Sequence, residues 1–308
     1  MAETAQFREH SVRCASLRGD AAHRMVYSEW GDPENPRVLI CVHGLTRTGR
    51  DFDQLAATLA PHYRVVCPDV VGRGRSERLT HARDYGFTQY FADMMTLIAR
   101  LDVPSVHWLG TSMGGRIGMA VAALPESPVT RLVLNDIGPR MSRDGLRHIV
   151  TYLGEDPSFA SFDEAVAYVK AVSQPFGQHS EEQWRFLTEH CVCEHQGRWQ
   201  FIYDPAISPF YSTSPWRSRL RRLLARQLLG LLPRRHPMFD QWALYDRIRC
   251  PTLAIRGAQS ALLARRDWLE MAERGPCARL AEIEGVGHAP TFLNPETIRI
   301  AADFLLAK

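Results

Sequence analysis

No apolar run in this 308-residue chain approaches the ~20 residues needed to cross a bilayer. The first ten residues, Met1 to His10, are polar, so no secretory signal is expected there. Seven cysteines make an odd number, and none stand in C-x-x-C pairs, which argues against a disulfide framework or a zinc ribbon. Cys41 and Cys67 lie inside apolar strand-like runs, as buried reduced thiols do, and a cytoplasmic location is expected. Cys191 and Cys193 could share a soft metal, but no second ligand pair is nearby, so no metal is expected. The net charge of +3 gives no reason to expect a nucleic-acid partner. Internal repeats and low-complexity linkers are missing too. What remains is 45% hydrophobic and 23% charged, enough to bury one large core.

The pattern that is present alternates strand and helix. Strand-like runs fall at His23–Trp30, Arg37–Val42, Tyr63–Pro68, Val106–Leu109, Thr130–Asn135, Pro251–Arg256 and Arg279–Ile283. Several are continuously apolar, as strands covered on both faces must be. Helical spacing falls between them, at Asp51–Leu59, Tyr90–Leu101, Ser112–Ala123 and Arg265–Arg274. A last helix, Pro295–Leu306, is capped by Asn294 and has proline at its first position. This order predicts an α/β class, a doubly wound and mostly parallel sheet. The alternation stops between residues 138 and 248, where five helical stretches are expected: Gly145–Leu153, Phe162–Val172, Glu181–Cys191, Trp216–Leu232 and Phe239–Tyr245. The expected organisation is a core of residues 1–137 and 249–308 with an inserted, mainly helical cap at 138–248.

Chemistry enters at Gly110-Thr111-Ser112-Met113-Gly114. A G-x-S-x-G sequence between a strand and a helix is a nucleophile elbow, a turn that presents a serine at the end of the sheet. Serine needs a base, and His288, in Gly285-Val286-Gly287-His288-Ala289-Pro290 after the last strand, is the candidate. Loops at the carboxyl ends of parallel strands share one edge of the sheet, which would bring His288 to Ser112. His107 sits within a strand and is expected to be packed there. The oxyanion hole needs two backbone amides; Met113 and Leu45, in His43-Gly44-Leu45-Thr46, are expected to supply them, with His43 shaping its loop.

With these motifs in order, the chain resembles the α/β-hydrolase superfamily, in its esterase-like branch with a helical cap. The matching segments also include Pro68-Asp69-Val70-Val71-Gly72-Arg73-Gly74-Arg75-Ser76, Asn135-Asp136-Ile137-Gly138-Pro139 and Gly287-His288. The resemblance implies hydrolysis of a small carboxylic ester through an acyl-enzyme on Ser112, with His288 as base and then acid and no cofactor. C–C bond or lactone hydrolysis is the alternative on the same fold. An aspartate nucleophile, as in epoxide hydrolysis or dehalogenation, is disfavoured by Ser112.

One departure stands out. The family usually carries its triad acid in the loop after the penultimate strand, and Ala261 occupies that place here. Three readings are open: a change at 261 that slows turnover, an acid supplied by Asp136 instead, or a binding protein on a hydrolase scaffold. Asp267 is a weaker candidate, since it falls on the following helix. The inserted region also holds Arg217, Arg219, Arg221, Arg222, Arg226, Arg234 and Arg235, interleaved with leucines and without an acid. Leu220, Leu223, Leu224, Leu228 and Leu231 share a helical face. That face is expected to pack inward with the arginines solvated; contact with a membrane surface, or a mouth that attracts acidic substrates, is the other reading.

Overall fold

In the computed structural model, residues 7–18, 21–209, 214–231 and 240–307 are described. The elements run β1 (Arg8–Ala15), β2 (Ala22–Trp30), β3 (Val38–Val42), α1 (Asp53–Leu59), β4 (Arg64–Pro68), α2 (Phe87–Leu101), β5 (Val106–Thr111), α3 (Met113–Ala122) and β6 (Val129–Asn135). Then come α4 (Arg143–Tyr152), β7 (Ser158–Phe159), α5 (Phe162–Val172), α6 (Glu181–Glu189), β8 (Val192–His195), β9 (Arg198–Phe201), α7 (Pro215–Leu231) and α8 (Trp242–Tyr245). The chain closes with β10 (Thr252–Gly257), α9 (Arg265–Glu270), β11 (Arg279–Ile283) and α10 (Pro295–Leu306).

The main sheet has eight strands in the order β1-β2-β4-β3-β5-β6-β10-β11. From β4 to β11 all neighbours are parallel, while β1–β2 and β2–β4 are antiparallel. The fold is therefore the α/β, mostly parallel sheet expected. β3 and β10 are buried at every position, because helices cover both faces. One large apolar cluster, with Trp108 and Leu132, and a second, with Phe52 and Leu109, occupy opposite faces of β5, whose side chains alternate in direction.

Strand β1 was not anticipated. It is an edge strand on which only Val12 and Cys14 are buried, too few to write a hydrophobic pattern. His107, on β5, gives its Nδ1–H to the Tyr63 hydroxyl at 2.8 Å, and that hydroxyl donates to Leu305 O at 2.6 Å. Burial pushes the His107 pKa down to about 4.

Between β6 and β10 the chain is not purely helical: β7, β9 and β8 form a small antiparallel sheet. Its β8–β9 hairpin turns on Gln196 and Gly197, both at positive φ (52° and 74°), the conformation that two-residue hairpins favour. Cys191 is buried and Cys193, on β8, is exposed, so the two thiols do not share one environment. Trp242, Tyr245 and Ile248 return to the large cluster beside Leu132. Residues 232–239, with Arg234, Arg235 and the start of the expected Phe239–Tyr245 helix, lie outside the described residues, as do Phe210 and Tyr211.

The turn from β5 into α3 sets the tightest packing. A Cβ on Gly110 would lie 2.3 Å from the Gly114 backbone, and one on Gly114 would lie 2.0 Å from Val42 O. Neither contact can relax by rotating a side chain. Gly114→Ala is expected to cost about 3 kcal/mol or more, or to abolish folding. Thermal unfolding of the variant beside the wild type measures this; an unchanged midpoint would mean that α3 and β3 separate easily.

Candidate active site

Ser112 occupies the turn itself, at φ 51° and ψ −109°, a strained region for a residue with a Cβ. Its N–H donates to Asn135 O at 3.0 Å. The strain aims the hydroxyl away from the sheet edge, and Ser112 Oγ lies 3.0 Å from His288 Nε2. His288 Nδ1 lies 2.6 Å from Asp136 Oδ2. Because a carboxylate only accepts, Nδ1 carries the proton and Nε2 is left to accept from the serine.

Asp136 is fully buried, at φ 52°, one step beyond β6. Its carboxylate also accepts from Gly257 N at 2.9 Å and from the Ser260 hydroxyl at 2.6 Å. Ser260 in turn accepts from Leu262 N and Leu263 N, which curls the loop after β10 back on itself. Ala261 is exposed and brings no carboxyl group to His288; its carbonyl takes the Ser142 hydroxyl at the start of α4. The acid beside His288 is therefore Asp136, and the family's usual position is used for packing. Asp267 is buried elsewhere, paired with Arg140 at 3.0 Å.

The two amides expected to face the reacting oxygen are both available. Neither Leu45 N nor Met113 N hydrogen-bonds to another described residue. Met113 opens α3, where the first amides have no helical partner. Leu45 is oriented through the peptide before it. The Gly44 carbonyl accepts from His43 Nδ1 at 2.6 Å and from Arg47 N at 3.2 Å. In a trans peptide the N–H points opposite to the C=O, so these bonds fix the direction of the Leu45 N–H. His43 Nε2 accepts from Val70 N at 2.9 Å, and burial pushes the ring's pKa down to about 3. This histidine is thus a neutral strut between two loops.

Other residues of the site were not singled out from the sequence. Arg73 is fully buried, gives Nε to Leu45 O at 2.9 Å and Nη1 to Val71 O at 2.7 Å, and lies over the Tyr90 ring. Asn135 gives its amide to Thr111 Oγ1 at 3.0 Å and to Pro290 O at 2.8 Å, tying the serine turn to the His288 loop. Arg47 binds Asp51 through Nε and Nη2 and reaches Leu187 O at 3.0 Å.

Ser112 and His288 open into a cavity of about 370 Å³. Ile149, Val169, Phe176 and Phe201 line it together with Tyr152, Tyr168 and Tyr203, and the Tyr168 and Tyr203 hydroxyls are hydrogen-bonded to Glu155. Of the other aromatics in the insertion, Trp184 and Trp199 fill small clusters of their own. Among the described residues, one group of side chains is close enough to share a metal ion: Cys14, His23 and Asp93. His23 Nε2 bonds Asp93 at 3.0 Å there, and none of the three lines the cavity.

A strained serine joined to a histidine and a buried aspartate, on a mostly parallel sheet, defines the class. The family model for the alpha/beta hydrolase fold matches residues 37–295, and the chain belongs to that family. A 3-hydroxybutyrate-oligomer hydrolase of Cupriavidus necator is 47% identical over 298 residues, 95% of this chain and 96% of that protein. A putative hydrolase from Rickettsia typhi superposes with a TM-score of 0.83 at 29% identity, covering 98% of this chain and 99% of that one. An alpha/beta hydrolase from Novosphingobium aromaticivorans gives 0.81 at 29% identity, with the same coverage.

His43, which is buried, and His107, which is partly buried, carry a consequence for stability. His43 stays neutral in the folded state down to about pH 3, and His107 to about 4. Both protonate near pH 6.5 once unfolded, so between these values the unfolded chain binds more protons. Their contribution to stability is full above about pH 6.5 and falls as the pH drops, by about 2 kcal/mol at pH 5 for the fully buried His43 and by less for the partly exposed His107, where solvent screens the charge. Unfolding midpoints at pH 7.5 and 5.0 test this, with a smaller drop expected in His107→Gln; a flat profile would be the opposite result.

Proposed function

We propose that the protein hydrolyses carboxylic esters through an acyl-enzyme on Ser112. His288 takes the serine proton through Nε2 as Ser112 attacks the carbonyl, then returns it to the leaving alcohol. Asp136 holds the ring in the required tautomer and stabilises the imidazolium. The amides of Leu45 and Met113 receive the oxyanion, and water then cleaves the acyl-enzyme by the same route. The observation that carries this reading is the Ser112–His288–Asp136 chain of hydrogen bonds, at 3.0 and 2.6 Å. With an acid already on His288, Ala261 ceases to argue for a protein that only binds.

Residues 138–248 serve as a cap over a core of residues 1–137 and 249–308. The cap's α4 and α5 supply Ile149, Tyr152, Tyr168 and Val169 to the cavity wall. For the substrate we propose short hydroxyacyl esters, with oligomers of 3-hydroxybutyrate as the first choice. Two observations support this: the relative that is 47% identical over nearly its full length, and a modest cavity lined by aliphatic and aromatic side chains.

The test is steady-state hydrolysis of the 3-hydroxybutyrate dimer and trimer beside a long-chain p-nitrophenyl ester. Ser112→Ala is expected to abolish turnover. Asp136→Asn should lower kcat by about 10³- to 10⁴-fold, since the ring loses its tautomer. Ala261→Asp should change kcat little, because Nδ1 already has its carboxylate. A gain of about a hundredfold in Ala261→Asp would instead put the acid at 261. A preference for the long-chain ester would overturn the substrate assignment while leaving the mechanism standing.

A further inference from the structure

Helix α7 faces the opposite way from the inward packing its leucines predict. Trp216, Leu220, Leu223, Leu224 and Leu228 are between 47% and 64% exposed, and they are five of the eight exposed large apolar side chains among the described residues. At 100° per residue they fall within an arc of about 140°. Ser218 and Ala225, buried on the opposite side, make the inward face. A helix that packs through small residues and turns its leucines outward has left its main apolar face unpartnered among the described residues.

The charges around that face say what covers it. On the helical wheel Arg221 borders one side of the leucine stripe and Arg219 the other, while Arg217 falls between Leu224 and Leu228, and all three are exposed. No acidic residue occurs in α7. Two copies of the stripe packed together would bring arginines against arginines, with no carboxylate on either helix to pair them. An anionic lipid surface meets both demands: the acyl boundary takes leucine and tryptophan, and headgroup phosphates take the arginines.

The helix is also fastened to the cavity wall. Arg222 Nη2 binds Glu155 Oε1 at 3.1 Å, just past α4. Glu155 Oε2 accepts from the Tyr168 hydroxyl at 3.2 Å and Glu155 O from the Tyr203 hydroxyl at 3.0 Å, and both tyrosines line the cavity. A surface bound to α7 would thus lie against the roof of the cavity.

We propose that α7 is an interfacial helix that seats this protein on an anionic lipid surface, through Trp216 and its leucines with the flanking arginines on lipid phosphates. The proposal is independent of the catalytic reading. It is tested by sedimentation with phosphatidylcholine vesicles, with and without a third of phosphatidylglycerol, at low and high salt. The wild type is expected to bind the anionic vesicles at least about tenfold better than the zwitterionic ones, and to release in high salt. Leu223→Asp with Leu224→Asp should bring binding down to the zwitterionic level. Arg217→Gln with Arg219→Gln should weaken it and flatten its salt dependence. Both pairs replace exposed side chains, and unchanged hydrolysis of a soluble ester checks that they fold. No binding of the wild type to anionic vesicles, or equal binding by the leucine variant, would overturn the proposal. So would a wild-type dimer at sedimentation equilibrium that the leucine variant converts to monomer, since a second copy would then be what covers the stripe.

Discussion

A fully buried carboxylate costs several kcal/mol unless donors surround it, and the arrangement of this site follows from how Asp136 meets that cost. Its donors come from three places: the end of β10 through Gly257 N, the loop beyond it through Ser260, and the loop after β11 through His288. Its own N–H goes to Ile255 O on β10. One residue earlier, Asn135 holds Ser112 N through its carbonyl and Thr111 and Pro290 through its amide. Ser112, His288 and Asp136, the proposed nucleophile, base and acid, therefore hang from Asn135 and Asp136 at the end of β6. The geometry is set by backbone positions at the sheet edge, where packing leaves little freedom.

The parts of this arrangement that sterics or burial impose were legible in the sequence. Glycine at 110 and 114 is required by backbone contact, so the elbow announces itself. Strand β3 is buried throughout and reads as an unbroken apolar run, and β10 carries Leu253-Ala254-Ile255 at its centre. Where burial is thin, as on β1, the pattern fades. The β8–β9 hairpin has four-residue strands, and its single signal was Gln196-Gly197 at the turn. The joining of Asp136 to His288, 152 residues apart, is tertiary, and no local pattern writes it. Ser260 went unnoticed for the same reason: its partner is 124 residues away. The leucines of α7 show a further limit. Periodicity identifies an apolar face but does not say whether that face meets the protein or something outside it.

The proposed oxyanion side is built on a different principle. Leu45 sits in a loop, and a loop amide is useful only when its direction is fixed before the reaction. His43 and the Arg47 amide hold the Gly44 carbonyl, and Arg73 holds the Leu45 carbonyl, so both peptides flanking Leu45 are clamped. Arg73 makes these bonds as a buried cation whose Nε and Nη1 go to backbone carbonyls and whose plane lies near Tyr90. The Gly72-Arg73-Gly74-Arg75-Ser76 segment therefore contributes to the site although none of it lines the cavity.

With Asp136, beside β6, as the proposed acid, the loop after β10 has another task. Ser142 reaches from the start of α4 to the carbonyls of Ala261 and Leu262, and a Cβ on Gly145 would lie 2.7 Å from Leu262 Cα. The helix that walls the cavity thus rests directly on the loop whose Ser260 holds Asp136. A displacement of α4 would pull on Ala261, then on the Ser260 hydroxyl, then on the carboxylate that orients His288. An acid at 261 would have to serve both as a catalytic group and as a rest for the helix. Dividing those duties separates them: α4 meets Ala261 through its backbone carbonyl, while the Asp136 carboxylate keeps a second anchor in Gly257 N at the end of β10.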